Sequence, residues 1–245
     1  MRTKSTWIVI LLLSLFVQPS VFVVAQNPSQ ARQSSQPEQT LNQITYGLVI
    51  DNSKSMSSQF REVIEAAKII VNNNKPGDET FVVRLVDRDR IETLQDFTTD
   101  RAAMLNALGK LYTESGQSAI IDAVYLSAQA VAQRKKSGSQ SRPALILITD
   151  GDDRASYYTQ DQLFALLREN KVQIFIIGLV NALDNRKPIL SKSSREKAIK
   201  LLQRLANETG GRAFFLESSA ELPGIADAIG SELRNVRKEH IPAMR

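Results

Sequence analysis

Ile50-Asp51-Asn52-Ser53-Lys54-Ser55-Met56 marks the point at which a predicted strand ends and a polar loop begins. An apolar, β-branched run, residues 44–50, precedes it, and apolar residues at helical spacing follow from Phe60. One carboxylate and two hydroxyls therefore occupy alternate positions on a loop between a strand and a helix. Oxygen ligands of this kind suit a hard divalent cation such as Mg²⁺.

A second apolar run also ends in a carboxylate, much later in the chain. Ala144-Leu145-Ile146-Leu147-Ile148-Thr149 is followed by Asp150-Gly151-Asp152-Asp153. The predicted strands are residues 44–50, 80–86, 90–97, 144–149, 172–179 and 212–216. Helical patterns separate most of them, and their predicted starts are Phe60, Arg101, Ile120, Thr159, Ser193 and Pro223.

This alternation predicts one Rossmann-like α/β domain with a doubly wound, mostly parallel sheet and helices on both faces. Arg90–Phe97 is expected to return as an antiparallel edge strand. Thr159 with Gln162, and Ser193 with Glu196, have the spacing of capping boxes that open helices. In sheets of this kind, ligands bind outside the carboxyl ends of the strands, where the strand order reverses. If the strands before Asp51 and Asp150 are neighbours, these two carboxylates converge.

Three segments in this order resemble the von Willebrand factor type A domain. Asp51-x-Ser53-x-Ser55 resembles the DxSxS motif of that family, and Thr149-Asp150-Gly151 resembles its TDG motif. Between them, residues 116–123 (GQSAIIDA) are similar to the segment that supplies a third hydroxyl. The resemblance covers about residues 44–237, and the 210–214 turn (GGRAF) is similar to the secreted bacterial branch.

The resemblance implies a metal site for Mg²⁺, or else Mn²⁺ or Ca²⁺. Its members would be Asp51, Ser53, Ser55, Ser118 and Asp150. The two serines of DxSxS would coordinate the ion directly, and the two aspartates would hold it mainly through bound waters. Ser118 stands where the family usually has threonine, and its side-chain torsion is freer. Glycine often fills the places of Asn52 and Lys54 in the family. Lys54 could oppose the ion, assist an acidic partner or point to solvent.

An open coordination position would accept an aspartate or glutamate of a protein partner, which predicts an adhesion module rather than an enzyme. Two alternatives remain open. Asp51 and Asp150 could serve a metal-dependent phosphohydrolase, or the chain could be a structural envelope protein with a vestigial metal site. The same residues also have ordinary structural roles, since Asp51 could form a turn and the two serines could cap the next helix.

Bulk composition excludes several other kinds of chemistry. The chain has no cysteine, which removes disulfides, thiol catalysis and cysteine-type zinc sites. Its single histidine, His240, lies among charges near the C-terminus, so a Ser-His-Asp triad is not expected. The net charge of +5 is scattered and shows no basic stripe with interleaved aromatics, which argues against nucleic-acid binding.

The N-terminal residues 1–25 have the pattern of an export signal. Arg2 and Lys4 precede an apolar segment, residues 7–17, and Val23-Val24-Ala25 ends in a small residue suited to cleavage. An uncleaved membrane anchor is the alternative, although residues 18–20 (QPS) interrupt the apolar run early. Either way, the remainder is expected outside the cytoplasm.

The predicted domain is flanked by segments without core-forming patterns. Residues 26–43 are rich in Gln, Ser and Pro and are expected to be a disordered linker. The folded domain is expected to span residues 44–237, and residues 238–245 form a tail. Asp152, Asp153 and Arg154 are expected in a solvated loop. A basic loop, residues 181–194 with Arg186, Lys187 and Lys192, could weakly steer an acidic partner.

Overall fold

The computed structural model describes residues 43–136, 142–185 and 188–235. Within them, one sheet contains the strands β1 (Thr45–Asp51), β2 (Glu79–Asp87), β3 (Arg90–Thr98), β4 (Ala144–Thr149), β5 (Gln173–Gly178) and β6 (Ala213–Phe215). The strand order is β3-β2-β1-β4-β5-β6, and every neighbouring pair is parallel except β2 and β3. The predicted fold class and the antiparallel edge strand are therefore confirmed.

Helices connect the parallel strands. They are α1 (Phe60–Asn72), α2 (Arg101–Leu108), α3 (Ile120–Lys136), α4 (Gln160–Asn170), α5 (Pro188–Thr209) and α6 (Leu222–Asn235). Short 3₁₀ segments lie at Lys54–Gln59, Val180–Asn185 and Ser219–Glu221. The predicted capping box of Thr159 and Gln162 is present at the start of α4. Gly210, at φ 72°, follows the last residue of α5, as a glycine after a helix end should.

Helices cover both faces of the sheet, and successive side chains of its central strands point to opposite faces. Val49 of β1 and Leu147 of β4 pack with α3, α4 and α5. Leu48 and Ile50 of β1, with Ile146 of β4, pack on the other side with α1, α2 and α6. All seven residues of β1 are buried, which explains why most of its side chains are apolar.

The predicted start of the helix after β5 was wrong. Ser193 and Glu196 lie inside α5, which begins at Pro188, so they do not form a capping box at its first turn. Proline suits the first position of a helix because its missing N–H would have no intrahelical acceptor there. The expected basic loop is thereby shortened: Lys192 belongs to α5, and Arg186 and Lys187 lie outside the described residues.

Several sequence predictions fall on parts of the chain that the structure does not describe. These are the export signal at residues 1–25, the linker at 26–43 apart from Gln43, and the tail at 238–245 with His240. Among the described helices, none combines the length and the apolar character needed to cross a bilayer.

Any side chain in place of Gly47 of β1 is predicted to lower the stability of the domain, because there is no room for a Cβ atom. A Cβ atom would lie 2.7 Å from Leu145 Cδ2 and closer still to the Phe81 ring. Gly47→Ala should therefore lower the free energy of unfolding by about 1–3 kcal/mol. Gly230 of α6 is the matched control, because a Cβ there would have no neighbour within 4 Å. Gly230→Ala should raise stability by about 0.5–1 kcal/mol. Urea denaturation measures both, and equal stability of the two variants would contradict this account of the core.

Candidate metal centre

Asp51 ends β1 at the centre of the sheet, next to β4. Its carboxylate is fully buried and is held on both oxygens. Oδ1 accepts hydrogen bonds from the Ser53 backbone N–H at 2.9 Å and from Ser118 Oγ at 3.2 Å. Oδ2 accepts one from Thr149 Oγ1 at 2.8 Å. Asp51 therefore joins three segments that are far apart in sequence: the end of β1, the end of β4 and the loop before α3.

Asp150 directly follows β4, the neighbour of β1, and is also fully buried. Its Oδ1 accepts a hydrogen bond from the Asp152 backbone N–H at 3.0 Å. Thr149 Oγ1, which donates to Asp51, accepts from the Gly151 N–H at 3.0 Å. Gly151 has φ 81°, a conformation that glycine adopts without strain. The Thr-Asp-Gly sequence thus forms a tight turn that directs a hydroxyl and a carboxylate toward the end of β1.

The three candidate hydroxyls lie around this pair. Ser53 is buried and its Oγ lies 2.9 Å from Ser55 Oγ. Ser118 is buried and donates to Asp51. Ser53 precedes the 3₁₀ segment, but its side chain makes no capping hydrogen bond there. The structural alternative, in which Ser53 caps the following helix, is therefore not what this loop does.

The electrostatics of the pair favour a compensating cation. The pKa of Asp51 is raised to about 6, first because burial disfavours the charged carboxylate and second because the negative charge of Asp150 acts on it. Neutral hydroxyls at Ser53, Ser55 and Ser118 add oxygen donors without adding charge. This donor set fits a hard divalent cation such as Mg²⁺, which prefers carboxylate and neutral oxygen ligands.

A cleft of about 350 Å³ opens over these side chains. Ser55 and Ser118 line it from the candidate site, and Lys54, Asp152 and Arg154 line its walls. Lys54 is exposed, whereas Arg154 pairs with Asp152 at 2.6 Å. Small or anionic groups can thus approach the site from solvent past the exposed charge of Lys54.

Asp122, which is buried, and Asp153, which is partly buried, hold the loop after β4 in place. Neither of them was assigned this supporting role from the sequence. Asp122, in the first turn of α3, accepts hydrogen bonds from the backbone N–H groups of Tyr157 and Tyr158 at 2.8–2.9 Å. Asp153 accepts one from the Ile121 N–H at 3.2 Å, and burial raises its pKa. Asp153 therefore lies in a loop, as expected, but its side chain is only partly solvated. An acidic residue in the first turn of a helix was visible in the sequence, but its distant partners were not.

A second support fixes the loop that carries Ser118. Arg84 on β2 pairs with Glu114 at 2.8 Å, and Arg90 pairs with the same carboxylate at 2.8 Å. Asn52, in place of the family's common glycine, is buried and donates through Nδ2 to Tyr112 O at 3.1 Å. These contacts link the loop after β1 to the loop before α3, so Ser118 is positioned from two directions.

Comparison with known proteins identifies the family. A family model of the von Willebrand factor type A domain matches residues 47–228, which is most of the chain and includes all six described strands apart from the first two residues of β1. The chain belongs to the von Willebrand factor type A (VWA) family. The resemblance inferred from DxSxS, the middle segment and TDG is thereby confirmed. VWA domains are generally modules for protein–protein interaction.

Solved structures support the same fold. A von Willebrand factor type A protein from Catenulispora acidiphila is 19% identical with a TM-score of 0.55, covering 79% of this chain and 43% of its own. An aerotolerance-related membrane protein of Bacteroides fragilis is 17% identical with a TM-score of 0.57, covering 78% and 98%. The conserved hypothetical protein BatB of Bacteroides thetaiotaomicron is 16% identical with a TM-score of 0.56, covering 78% and 98%.

These similarities set the limits of what the comparisons establish. This VWA chain spans less than half the length of the Catenulispora protein. At such identities the likeness establishes the fold alone. A comparison with curated proteins found no match.

Proposed function

We propose that this VWA domain binds a protein partner through a divalent cation, with Mg²⁺ favoured over Mn²⁺ or Ca²⁺. The ion is held by Asp51, Ser53, Ser55, Ser118 and Asp150. The observation that carries the proposal is the meeting of two fully buried carboxylates with hydroxyls at the carboxyl edge of the sheet. Two buried negative charges in one place are costly unless a cation compensates them.

Each side chain has a role that the family resemblance implies. Ser53 and Ser55 coordinate the ion directly, and Ser118 supplies the third hydroxyl. Asp51 and Asp150 balance the charge of the ion and orient its bound waters. The ion, when bound, supplies attraction for an anionic oxygen. An aspartate or glutamate of the partner provides that oxygen at the open position facing the cleft.

Exposed aromatic side chains near the same edge support a protein as the partner. Tyr112 is 57% exposed and contacts the loop after β1 through its backbone, and Tyr157 is 72% exposed in the loop after β4. Tyrosine is enriched at protein interfaces because its ring gives apolar contact while its hydroxyl stays hydrogen-bonded.

The surroundings of Asp51 argue against the phosphohydrolase alternative. A carboxylate nucleophile must reach its substrate, but Asp51 is fully buried and both its oxygens accept hydrogen bonds. Metal-assisted hydrolysis would also need a positioned general base. Asp150 is equally buried, and its Oδ1 is engaged by the Asp152 N–H. A binding role therefore suits the pair better than turnover.

The proposed site lies outside the cytoplasm, because residues 1–25 have the pattern of an export signal. We predict that the exported protein begins at Gln26. Cell fractionation followed by N-terminal sequencing measures this directly. Recovery of Met1 from a membrane fraction would replace secretion with anchoring, in which residues 26–43 serve as a tether.

Mg²⁺ is predicted to stabilise the fold through the two aspartates. At about ten times its dissociation constant, the ion should add roughly 1.4 kcal/mol. For a domain of this size, that raises the melting temperature by about 3–6 °C. Asp51→Ala and Asp150→Asn should abolish the shift. Asp150→Asn should also melt about 2–4 °C above wild type in chelator, because it removes the repulsion between the carboxylates.

Glu65→Gln is the matched control for the loss of one negative charge, since Glu65 is exposed on α1. It should keep the full response to Mg²⁺. Thermal melts with Mg²⁺ and with chelator separate the cases, with circular dichroism as the check on folding. A response to Mg²⁺ that survives in both aspartate variants would show that the metal binds elsewhere.

Partner binding is predicted to need the metal and the Ser118 hydroxyl. The wild-type protein should capture a partner from extracytoplasmic extract in Mg²⁺ but not in chelator. Ser118→Ala should weaken capture, because it removes a neutral ligand without changing charge. Ser231→Ala, at an exposed position of α6, should leave capture intact. Full capture in chelator would remove the metal from the mechanism.

Two other results would favour the alternative functions. Metal-dependent turnover of a phosphoester would favour the phosphohydrolase, and absence of metal binding would favour the structural envelope protein.

A further inference from the structure

A second cleft lies beside the candidate metal centre. The middle of α5, between Ser194 and Arg204, and residues 151–153 line a space of about 480 Å³. Asp152 lines both this space, termed here the α5 cleft, and the cleft over Ser55 and Ser118. The two clefts are therefore neighbours on either side of the segment that follows β4. A chain that leaves one of them over Asp152 enters the other.

The accessible charge of the α5 cleft is positive. Lys197 and Lys200 are exposed, and neither pairs with a carboxylate in the part of the chain that the structure describes. They stand three residues apart on α5 and so lie on one side of the helix. By contrast, Arg204 is engaged by Glu208 at 2.6 Å and by Gln160 at 3.0 Å.

The acidic residues of the α5 cleft do not cancel the two lysines. Asp152 pairs with Arg154 at 2.6 Å, which offsets its charge. Asp153 is partly buried and accepts hydrogen bonds from the Ile121 N–H and from Ser156 Oγ. An anionic group that enters the cleft therefore meets two exposed lysines against one partly buried carboxylate, Asp153, so the attraction outweighs the repulsion.

The floor of the cleft suits a polypeptide. Ala198 and Leu201 line it with apolar atoms. The ring of Phe164 is buried, and the guanidinium of Arg204, which lines the cleft, covers it at 4.1 Å. Binding of single-stranded nucleic acid relies on exposed aromatic rings for base stacking, and the described lining offers none. The combination of an apolar floor with two lysines favours an extended acidic peptide.

We propose that the α5 cleft binds a second acidic group of the same partner segment whose first carboxylate completes the metal site. This inference rests on the proposed function. The segment passes over Asp152, and its second aspartate or glutamate lies between Lys197 and Lys200. The α5 cleft then selects among proteins that all present one carboxylate, because only a segment with a second acid at the right distance meets both sites.

Synthetic peptides test this inference without knowledge of the natural partner. One Gly-Ser peptide carries a single Glu, and a series carries the same Glu followed by an Asp-Glu pair. Spacers of about three to eight residues span roughly 10–27 Å. Amide chemical shifts of the ¹⁵N-labelled protein, measured in Mg²⁺, report affinity and location together. One spacing should bind roughly threefold to tenfold tighter than the single-Glu peptide, perturb residues 194–201, and lose this gain at high salt.

Charge-matched variants identify the lysines responsible. Lys197→Gln/Lys200→Gln should remove the gain while retaining both the Mg²⁺-induced thermal shift and the affinity for the single-Glu peptide. Lys68 is exposed on α1, and Lys75 is exposed just beyond the end of that helix. The control variant Lys68→Gln/Lys75→Gln makes the same change in charge and should keep the gain in affinity.

The outcomes separate this inference from the proposed function. If the single-Glu peptide binds in Mg²⁺ but no spacing binds more tightly, the second acidic site is overturned and the metal site stands. Equal losses in both lysine pairs would show a general charge effect and would also overturn it. If no peptide perturbs Ser55 or Ser118 in Mg²⁺, the proposed function itself fails. Tighter binding of oligothymidine than of any peptide at residues 194–201, in chelator, would assign the cleft to nucleic acid instead.

Discussion

The burial of two like charges at the ends of adjacent strands is the constraint around which this VWA domain is arranged. Asp51 and Asp150 are both removed from solvent, and each raises the cost of ionising the other. Parallel pairing of β1 with β4 forces them together, because the register aligns Ile50 with Ile148. Hydrogen bonds from Ser118, Thr149 and the Ser53 N–H offset part of that cost. In the proposed function, a divalent cation offsets the remainder, so the cost of burying the two carboxylates becomes the source of the proposed affinity for metal.

Ion pairs and hydrogen bonds hold the two loops around Asp51 and Asp150 in place. The loop before α3 is braced by Arg84 and Arg90 through Glu114, and the loop after β4 is braced by Asp122 and Asp153. Rigid supports reduce the ordering cost that binding would otherwise incur. They also separate two tasks along the edge of the sheet. Under the two proposals above, the braced centre presents ligands to an ion, while the exposed lysines of α5 discriminate between partners.

The sequence predicted the fold well because the evidence for it is local. Apolar runs such as residues 144–149 and the Thr159 capping box depend on neighbours in the chain, and both are present. The motif residues Asp51 and Asp150 were predicted to converge if the strands before them are neighbours, and β1 and β4 do pair in the sheet. The start of α5 was missed because Ser193 offered a plausible cap while Pro188, several residues earlier, begins the helix.

The contacts that the sequence did not predict join residues far apart in the chain. Asp122 bonds to a loop more than thirty positions away, and Arg84 finds Glu114 across a strand and a helix. Nothing in the spacing of these residues distinguishes them from ordinary surface charges. The α5 cleft is of the same kind, because it exists only where the segment after β4 passes beside a helix distant in sequence. Side chains that support a site are thus harder to predict than the motif residues that compose it.

The two outer strands have a consequence for how copies of this protein behave at high concentration. β3 carries charged residues such as Arg90 and Glu92, and its pairing with β2 is interrupted by register shifts. β6, at the opposite edge, is only three residues long. An edge strand that is irregular, charged or short presents few unpaired backbone N–H and C=O groups in a regular row. The sheets of two molecules therefore do not readily pair edge to edge and aggregate. Contacts with other molecules are thereby directed away from the backbone edges and toward the loops.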